Sequence, residues 1–244
     1  MGAIRIGTAG WSISSRYRED FPAAGSQLER YAARFGCVEI NSSFYRPHRS
    51  ETYQRWVAAV PEDFKFSVKV PKTITHEKRL RGCESEIDAF CRQVAALGAK
   101  LRVLLVQTPP SLRLEPQAAA ASFTALRAGT DAAIVVEARH ASWFTPEADT
   151  LLGAHGVTRV IADPPHGEAR PTEASPVYFR FHGRPRVYFS NYDDDALNEI
   201  ARRLRAAAET SETWCIFDNT AEGHAVANAL CVQRLLGPRA VRSR

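Results

Sequence analysis

Short apolar runs rich in β-branched and aromatic residues alternate along the chain with longer stretches whose apolar positions recur every three or four residues. The short runs predict eight strands, at 3–10 (AIRIGTAG), 38–44 (VEINSSF), 65–70 (KFSVKV), 102–108 (RVLLVQT), 133–139 (AIVVEAR), 157–163 (VTRVIAD), 177–183 (VYFRFHG) and 213–219 (TWCIFDN). Helical patterns fall between them near 26–36, 51–60, 84–98, 116–128, 146–154, 193–208 and 221–236. Only the connection after the sixth strand, PPHGEARPTEASP (164–176), has no helical period.

Local chemistry marks several boundaries. Ser26 and Ser50 are placed to cap the first two helices. Gly98 and Gly237 suit helix ends that need a left-handed residue. Pro146 suits a first helical turn, where a missing N–H costs nothing. Strictly alternating strands and helices imply right-handed crossovers and a parallel sheet. Eight units favour closure into a (β/α)8 TIM barrel over an open doubly wound sheet. With no linker or low-complexity block, residues 1–244 read as one domain, ending in a basic tail of six residues.

Composition narrows the function classes. The formal net charge is +5, but Arg239, Arg242 and Arg244 lie in the last six residues, so the body is closer to neutral and carries no nucleic-acid footprint by charge alone. Five cysteines, Cys37, Cys83, Cys91, Cys215 and Cys231, form no CxxC pair and read as reduced thiols. No apolar run reaches the ~20 residues of a membrane span, and MGAIRIGTAGW carries no apolar targeting run. The expectation is a cytoplasmic protein with no membrane partner.

Polar residues collect at the strand ends, where barrel enzymes place their chemistry. Glu39 and Asn41 share a face of the second strand, and Lys69 closes the third. Glu137 and Arg139 share a face of the fifth, Asp163 ends the sixth, Arg180 and His182 share a face of the seventh, and Asp218 and Asn219 end the eighth. Lone buried charges are too costly to keep unpaired. So many strand ends aiming polar groups at one mouth predict a binding site there.

The same segments carry a family resemblance. GTAGW (7–11), VEINSSFYRP (38–47), FKFSVKVPKTITH (64–76), QTPPSL (107–112), VEARHASW (136–143), YFRFHG (178–183) and FDNTAEGHAVANA (217–229) together resemble the YecE-like barrels, a family labelled as a domain of unknown function. The resemblance spans essentially the whole chain. It implies a TIM-barrel fold and no particular activity.

The mouth residues point to an anionic substrate. Arg46, Lys69, Arg139 and Arg180 approach it, with Lys72, His76, His140 and His182 nearby. Arginine's fork matches phosphate or carboxylate oxygens, so these arginines equally suit a substrate anion and the neutralisation of Glu39, Glu137, Asp163 and Asp218. Gly183 would admit a ligand to the backbone, and Asn219 or Thr220 would cap the last helix. Tyr45 and Trp143 are candidate contacts, with Trp11 and Phe44 beside them. The expected function is an enzyme on a phosphate-bearing small molecule or nucleotide, of hydrolase or lyase type. Glu137, Asp163, His182 and Lys69 would carry general acid–base chemistry. Glu39, Asn41, Tyr45, Arg46, His76, Arg139, Trp143, Arg180, Gly183, Asp218 and Asn219 would contact substrate. No cofactor or metal is called for. Three alternatives stand beside this reading: a nucleic-acid-binding or repair-associated module, a Schiff-base lysine at Lys69, and a metal-dependent hydrolase or isomerase of the xylose isomerase-like type. The last would use Glu137, Asp163, His166, His182 and Asp218 as ligands.

Overall fold

A computed structural model describes residues 2–167 and 174–237. Parallel strands alternate with helices from one end to the other. Five strands form one sheet in the order β2 (Cys37–Ile40), β3 (Lys65–Lys69), β4 (Leu101–Gln107), β5 (Ala133–Glu137), β6 (Val157–Arg159). Four form a second in the order β1 (Ile4–Thr8), β9 (Thr213–Phe217), β8 (Val177–Phe181), β7 (Ile161–Asp163).

The two sheets meet along two seams. At one, β6 and β7 are a single run of chain interrupted only at Val160, so the sixth expected strand serves both sheets. At the other, β1 and β2 touch through one parallel bridge, Ala9 to Glu39, and the Gly10 N–H donates to the Glu39 carbonyl at 2.8 Å. Gly7 makes that close approach possible: a Cβ there would stand 2.3 Å from the Cys37 carbonyl oxygen.

Side-chain alternation then divides the molecule into an interior and a shell. Cys37, Val103, Leu105, Ala133, Val135, Val160, Tyr178, Trp214 and Ile216 pack together inside. The intervening residues, such as Val38, Val68, Leu104, Ile134, Phe179 and Phe217, face the helices in a larger apolar cluster. The covering helices include α1 (Gln27–Ala32), α3 (Ser50–Ala58), α4 (Glu84–Val94), α5 (Pro116–Gly129), α6 (Pro146–Ala154), α7 (Asp194–Ala208) and α8 (His224–Leu236).

Some boundary signals act as expected. Ser26 forms a capping box with Glu29, and Pro146 opens α6 after the Thr145 cap. Gly98 and Gly237 both have positive φ at helix ends. Others differ. Ser50 is already the first helical residue of α3, behind an extended Arg49, and caps nothing. Helix α8 starts later than expected, behind Gly223, because the Asn219 and Thr220 region forms a turn instead. The second strand stops at Ile40, and Ser42–Tyr45 curl into a short helix, α2. Arg239, Arg242 and Arg244 lie outside the described residues, as does part of the irregular 164–176 connection. Among the described residues, no helix is long and apolar enough to cross a membrane.

Candidate active site

The interior changes character along the strands. Above the apolar layer, Tyr178 stacks on Trp214 with ring centroids 5.7 Å apart. The Tyr178 hydroxyl donates to Glu39 Oε2 and meets Ser67 Oγ, both at 2.9 Å. Burial and the Glu39 charge push its pKa far up, so it remains a donor.

Two residues further along β8, on the same face, lies Arg180, fully buried. Its guanidinium is held by three carboxylates, Glu39 of β2, Glu137 of β5 and Asp218 just past β9. Nε and Nη2 donate to the two oxygens of Glu39 at 3.0 and 2.7 Å, Nη2 also reaches Asp218 Oδ2 at 2.9 Å, and Nη1 donates to Glu137 Oε2. Burial alone would weaken the guanidinium's hold on its proton, but the three carboxylates outweigh that and hold it firmly charged. Reciprocally, burial would raise Glu137 and Asp218, but Arg180 pulls both below the usual carboxylate range. Arg180 was expected to meet substrate. It has no exposed surface and its donors face carboxylates, so it organises the site from beneath.

Above Arg180 lie groups with capacity to spare. His182, just past β8, has Nδ1 3.1 Å from Asp218 Oδ2. Its Nε2 is buried without a hydrogen-bond partner, 3.5 Å from Glu137 Oε1. Burial disfavours its protonation, yet the hydrogen bond with Asp218 and the nearby Glu137 carboxylate outweigh that and raise its pKa. Arg139 donates from Nε and Nη2 to Glu137 Oε1 at 2.9 and 2.8 Å and keeps part of its side chain in solvent. Lys69 is buried, with Nζ 4.3 Å from the centre of the Phe44 ring. Burial and the neighbouring Arg180 lower its pKa to about 8, against the opposing pull of Glu39, Asp218 and Glu137. His76 bonds Thr75 Oγ1 at 2.8 Å and packs edge-on against Phe44, and burial lowers its pKa, helped by Lys69 and Arg139.

Several expected site residues take other positions. Asp163 falls on the shell-facing parity of β7, in step with Ile161, because Val160 points inward, and its carboxylate pairs with Arg184 at 3.5 Å. Trp143 is buried, with Nε1 donating to the Leu112 carbonyl at 3.0 Å, so it packs and cannot stack on a ligand. Asn219 is also buried; its amide donates to the Ser190 carbonyl and to Asn228 Oδ1. Gly183 has φ +86°, and a Cβ there would stand 2.6 Å from the Ser190 carbonyl, so its freedom serves loop packing. Asn41 has left the strand but places a buried, unpartnered Oδ1 beside it. Tyr45 is 74% exposed and Arg46 is exposed, both on the rim. Trp11 packs edge-on against Trp56.

Tyr188 was not foreseen. It holds φ +71°, a strained value for an aromatic residue, and its ring packs edge-on against His182. Its hydroxyl accepts from Arg139 Nη2 at 3.2 Å. An aromatic residue in the loop after Arg180 and His182 was the available signal. The metal alternative finds little support in the donor set. The converging carboxylates already surround a guanidinium, and among the described residues no three His, Cys, Asp or Glu side chains gather to hold a metal.

Comparison with known proteins bears on the fold and the family. A family model described as "Protein of unknown function DUF72" matches residues 5–243. The UPF0759 protein YunF of Bacillus subtilis is 25% identical over 96% of this chain and 94% of its own length. The UPF0759 protein YecE of Escherichia coli K12 is 32% identical, over 68% of this chain and 64% of its own length. A DUF72 family protein from Thermotoga maritima superposes with a TM-score of 0.81 at 27% identity, over 96% of this chain and 99% of that one. The likeness extends, as fold alone, to a D-psicose 3-epimerase from Clostridium cellulolyticum H10 (TM-score 0.55, 8% identity, 96% and 95% of the two chains). It extends likewise to a xylose isomerase-like TIM barrel within a fusion protein (TM-score 0.53, 12% identity, 94% of this chain and 41% of that one).

Proposed function

This chain belongs to the DUF72 family, and from that premise we propose that it is an enzyme that binds a small anionic, phosphate-bearing molecule at the mouth of its strands and moves a proton there. Arg139 is the anion contact, since its guanidinium reaches solvent while Glu137 fixes its orientation. Lys69 and His182 exchange protons with the substrate. Among the described residues, no hydrogen bond or ion pair engages the Lys69 amine. A lysine lowered to about 8 and a raised histidine bring a base and an acid towards the same pH, the condition for efficient proton transfer. Hydrolase or lyase chemistry fits this pair.

The observation that carries the reading is the buried Nε2 of His182, which makes no hydrogen bond and has only Glu137 Oε1 at 3.5 Å, above three carboxylates committed to Arg180. A buried nitrogen without a hydrogen bond is costly to keep, and a ligand atom would satisfy it.

The test is a thermal-shift screen of phosphorylated metabolites and nucleotides on wild type and Arg139→Ala. Some phosphate-bearing compound should raise the wild-type midpoint, and the variant should respond much less. Equal shifts in the two proteins would remove the anion role. The exposed Tyr45 beside Arg46 supports a second reading, in which a single nucleic-acid strand crosses the rim. That reading requires oligonucleotide affinity to fall steeply with salt.

A further inference from the structure

The chain has five lysines, Lys65, Lys69, Lys72, Lys78 and Lys100, and four of their amines are occupied. Lys65 donates to the Ala99 carbonyl, Lys72 pairs with Glu77, and Lys78 binds the Gly82 carbonyl and Glu86. Lys100 is as buried as Lys69, but its amine donates to the carbonyls of Val57 and Val60 at 3.0 and 2.9 Å. Lys69 differs from all four. Its side chain is 9% exposed, and among the described residues its amine makes no hydrogen bond or ion pair, only the 4.3 Å contact with the Phe44 ring.

The nearby carboxylates explain why the amine is left over. Both oxygens of Glu39 bind Arg180, those of Glu137 bind Arg139 and Arg180, and Asp218 Oδ2 binds Arg180 and His182. An amine that is desolvated, placed near a guanidinium and given no dedicated counter-ion readily becomes the neutral nucleophile.

We propose that Lys69 forms a protonated Schiff base with the carbonyl carbon of a small aldehyde or keto acid, which places the substrate of this mouth among carbonyl compounds that also bear an anionic group. The proposal rests on the proton-transfer reading above. The depressed pKa of Lys69, about 8, supplies neutral amine near physiological pH.

The step balances within the site. The amine lone pair attacks the carbonyl carbon, the C–N bond forms, and the carbonyl π pair moves to oxygen. That oxygen takes a proton from protonated His182, and the nitrogen releases one proton to solvent. The carbinolamine oxygen then takes a second proton and leaves as water while the nitrogen lone pair closes the C=N bond. Overall, a neutral amine, a carbonyl and one proton give a protonated imine and water. No oxidant or reductant is consumed.

The intact wild-type chain tests this directly. It is incubated near pH 8 with either glyoxylate or neutral propanal, each with cyanoborohydride, and the lysines are mapped by mass spectrometry after proteolysis. Lys69 should be alkylated at least tenfold faster than the half-buried Lys72 and the exposed Lys78, and Lys100 should stay unmodified. Labelling of Lys69 no faster than that of Lys72 with either reagent would overturn the proposal. Arg139→Ala separates it from the anion reading. If both readings hold, the variant loses the advantage of glyoxylate but keeps propanal labelling. Lys69 labelling with propanal and no glyoxylate advantage in wild type would retain the Schiff base and remove the anion contact. Anion-dependent thermal shifts without Lys69 labelling would do the reverse.

Discussion

The two ends of the strand bundle each carry an arginine–carboxylate cluster, and the clusters are built with opposite stoichiometry. At the N-terminal end a single carboxylate, Glu212, is shared by Arg5 at 3.0 Å and Arg102 at 2.8 and 2.5 Å, with Trp214 Nε1 adding a bond at 3.0 Å. Arg102 keeps 42% of its side chain exposed, so water completes its shell. At the C-terminal end one arginine, Arg180, is shared by three carboxylates, all nearly or fully buried. The first arrangement leaves spare cationic donors facing water. The second takes up the carboxylates and, among the described residues, leaves two nitrogen groups, the Lys69 amine and His182 Nε2, without a hydrogen bond. Opposite ratios of cation to carboxylate therefore yield a closed clasp at one end and spare nitrogen groups at the other.

The sharpest way to break this contrast is Arg180→Leu. It would leave three buried carboxylates facing each other, and removing one partner of a buried ion pair typically costs about 3–5 kcal/mol. Urea denaturation should show a loss at or above that range. A loss under about 1 kcal/mol would mean that the cluster is solvated and the contrast false.

A medium effect comes from Lys69. Its folded-state pKa of about 8 lies below the free lysine value near 10.4. Between those values the unfolded chain binds more protons, so stability rises with pH across that window and is lost again as pH falls towards 8. Arg180, Glu39, Asp218, Glu137 and His76 face the amine and share in the effect. Wild type should gain up to ~3 kcal/mol relative to Lys69→Met across the window. Parallel pH curves for the two proteins would show that the amine is ordinary.

The smallest effect is expected at the other end. Glu212→Gln leaves Arg5 and Arg102 partly solvated, so the loss should be about 1 kcal/mol. It should leave ligand-induced shifts unchanged. A loss as large as that of Arg180→Leu would erase the distinction between the ends.

Period-two alternation made much of this site legible in advance. It placed Glu39, Glu137, Arg180 and His182 on interior faces, and Lys69 and Asp218 at strand ends, where all six are found. Asp163 was also legible in principle: once Val160 points inward, parity turns Asp163 to the shell. Pairing was not legible, because sequence counts charges without showing which strands converge. Arg180 therefore reads equally as an anion contact and as a counter-ion of the mouth carboxylates until its three partners are placed. Trp143 and Asn219 were misjudged for a related reason: their partners, Leu112, Ser190 and Asn228, lie in loops and a helix with no periodic signal. The curl at Ser42–Tyr45 and the strained backbone of Tyr188 depend on tertiary contacts that outweigh local propensity.

The Arg180 contacts also date the site's assembly. Glu39 stands 141 positions before Arg180 along the chain and Glu137 stands 43 before it, while Asp218 follows 38 positions later. Contacts of such long sequence separation close the largest loops and form late in folding. During synthesis the carboxylates of the first two-thirds emerge without their cation, and the third carboxylate comes just past the last strand. The complete charge cluster is thus withheld from every partial chain, and it registers that the strands have come together.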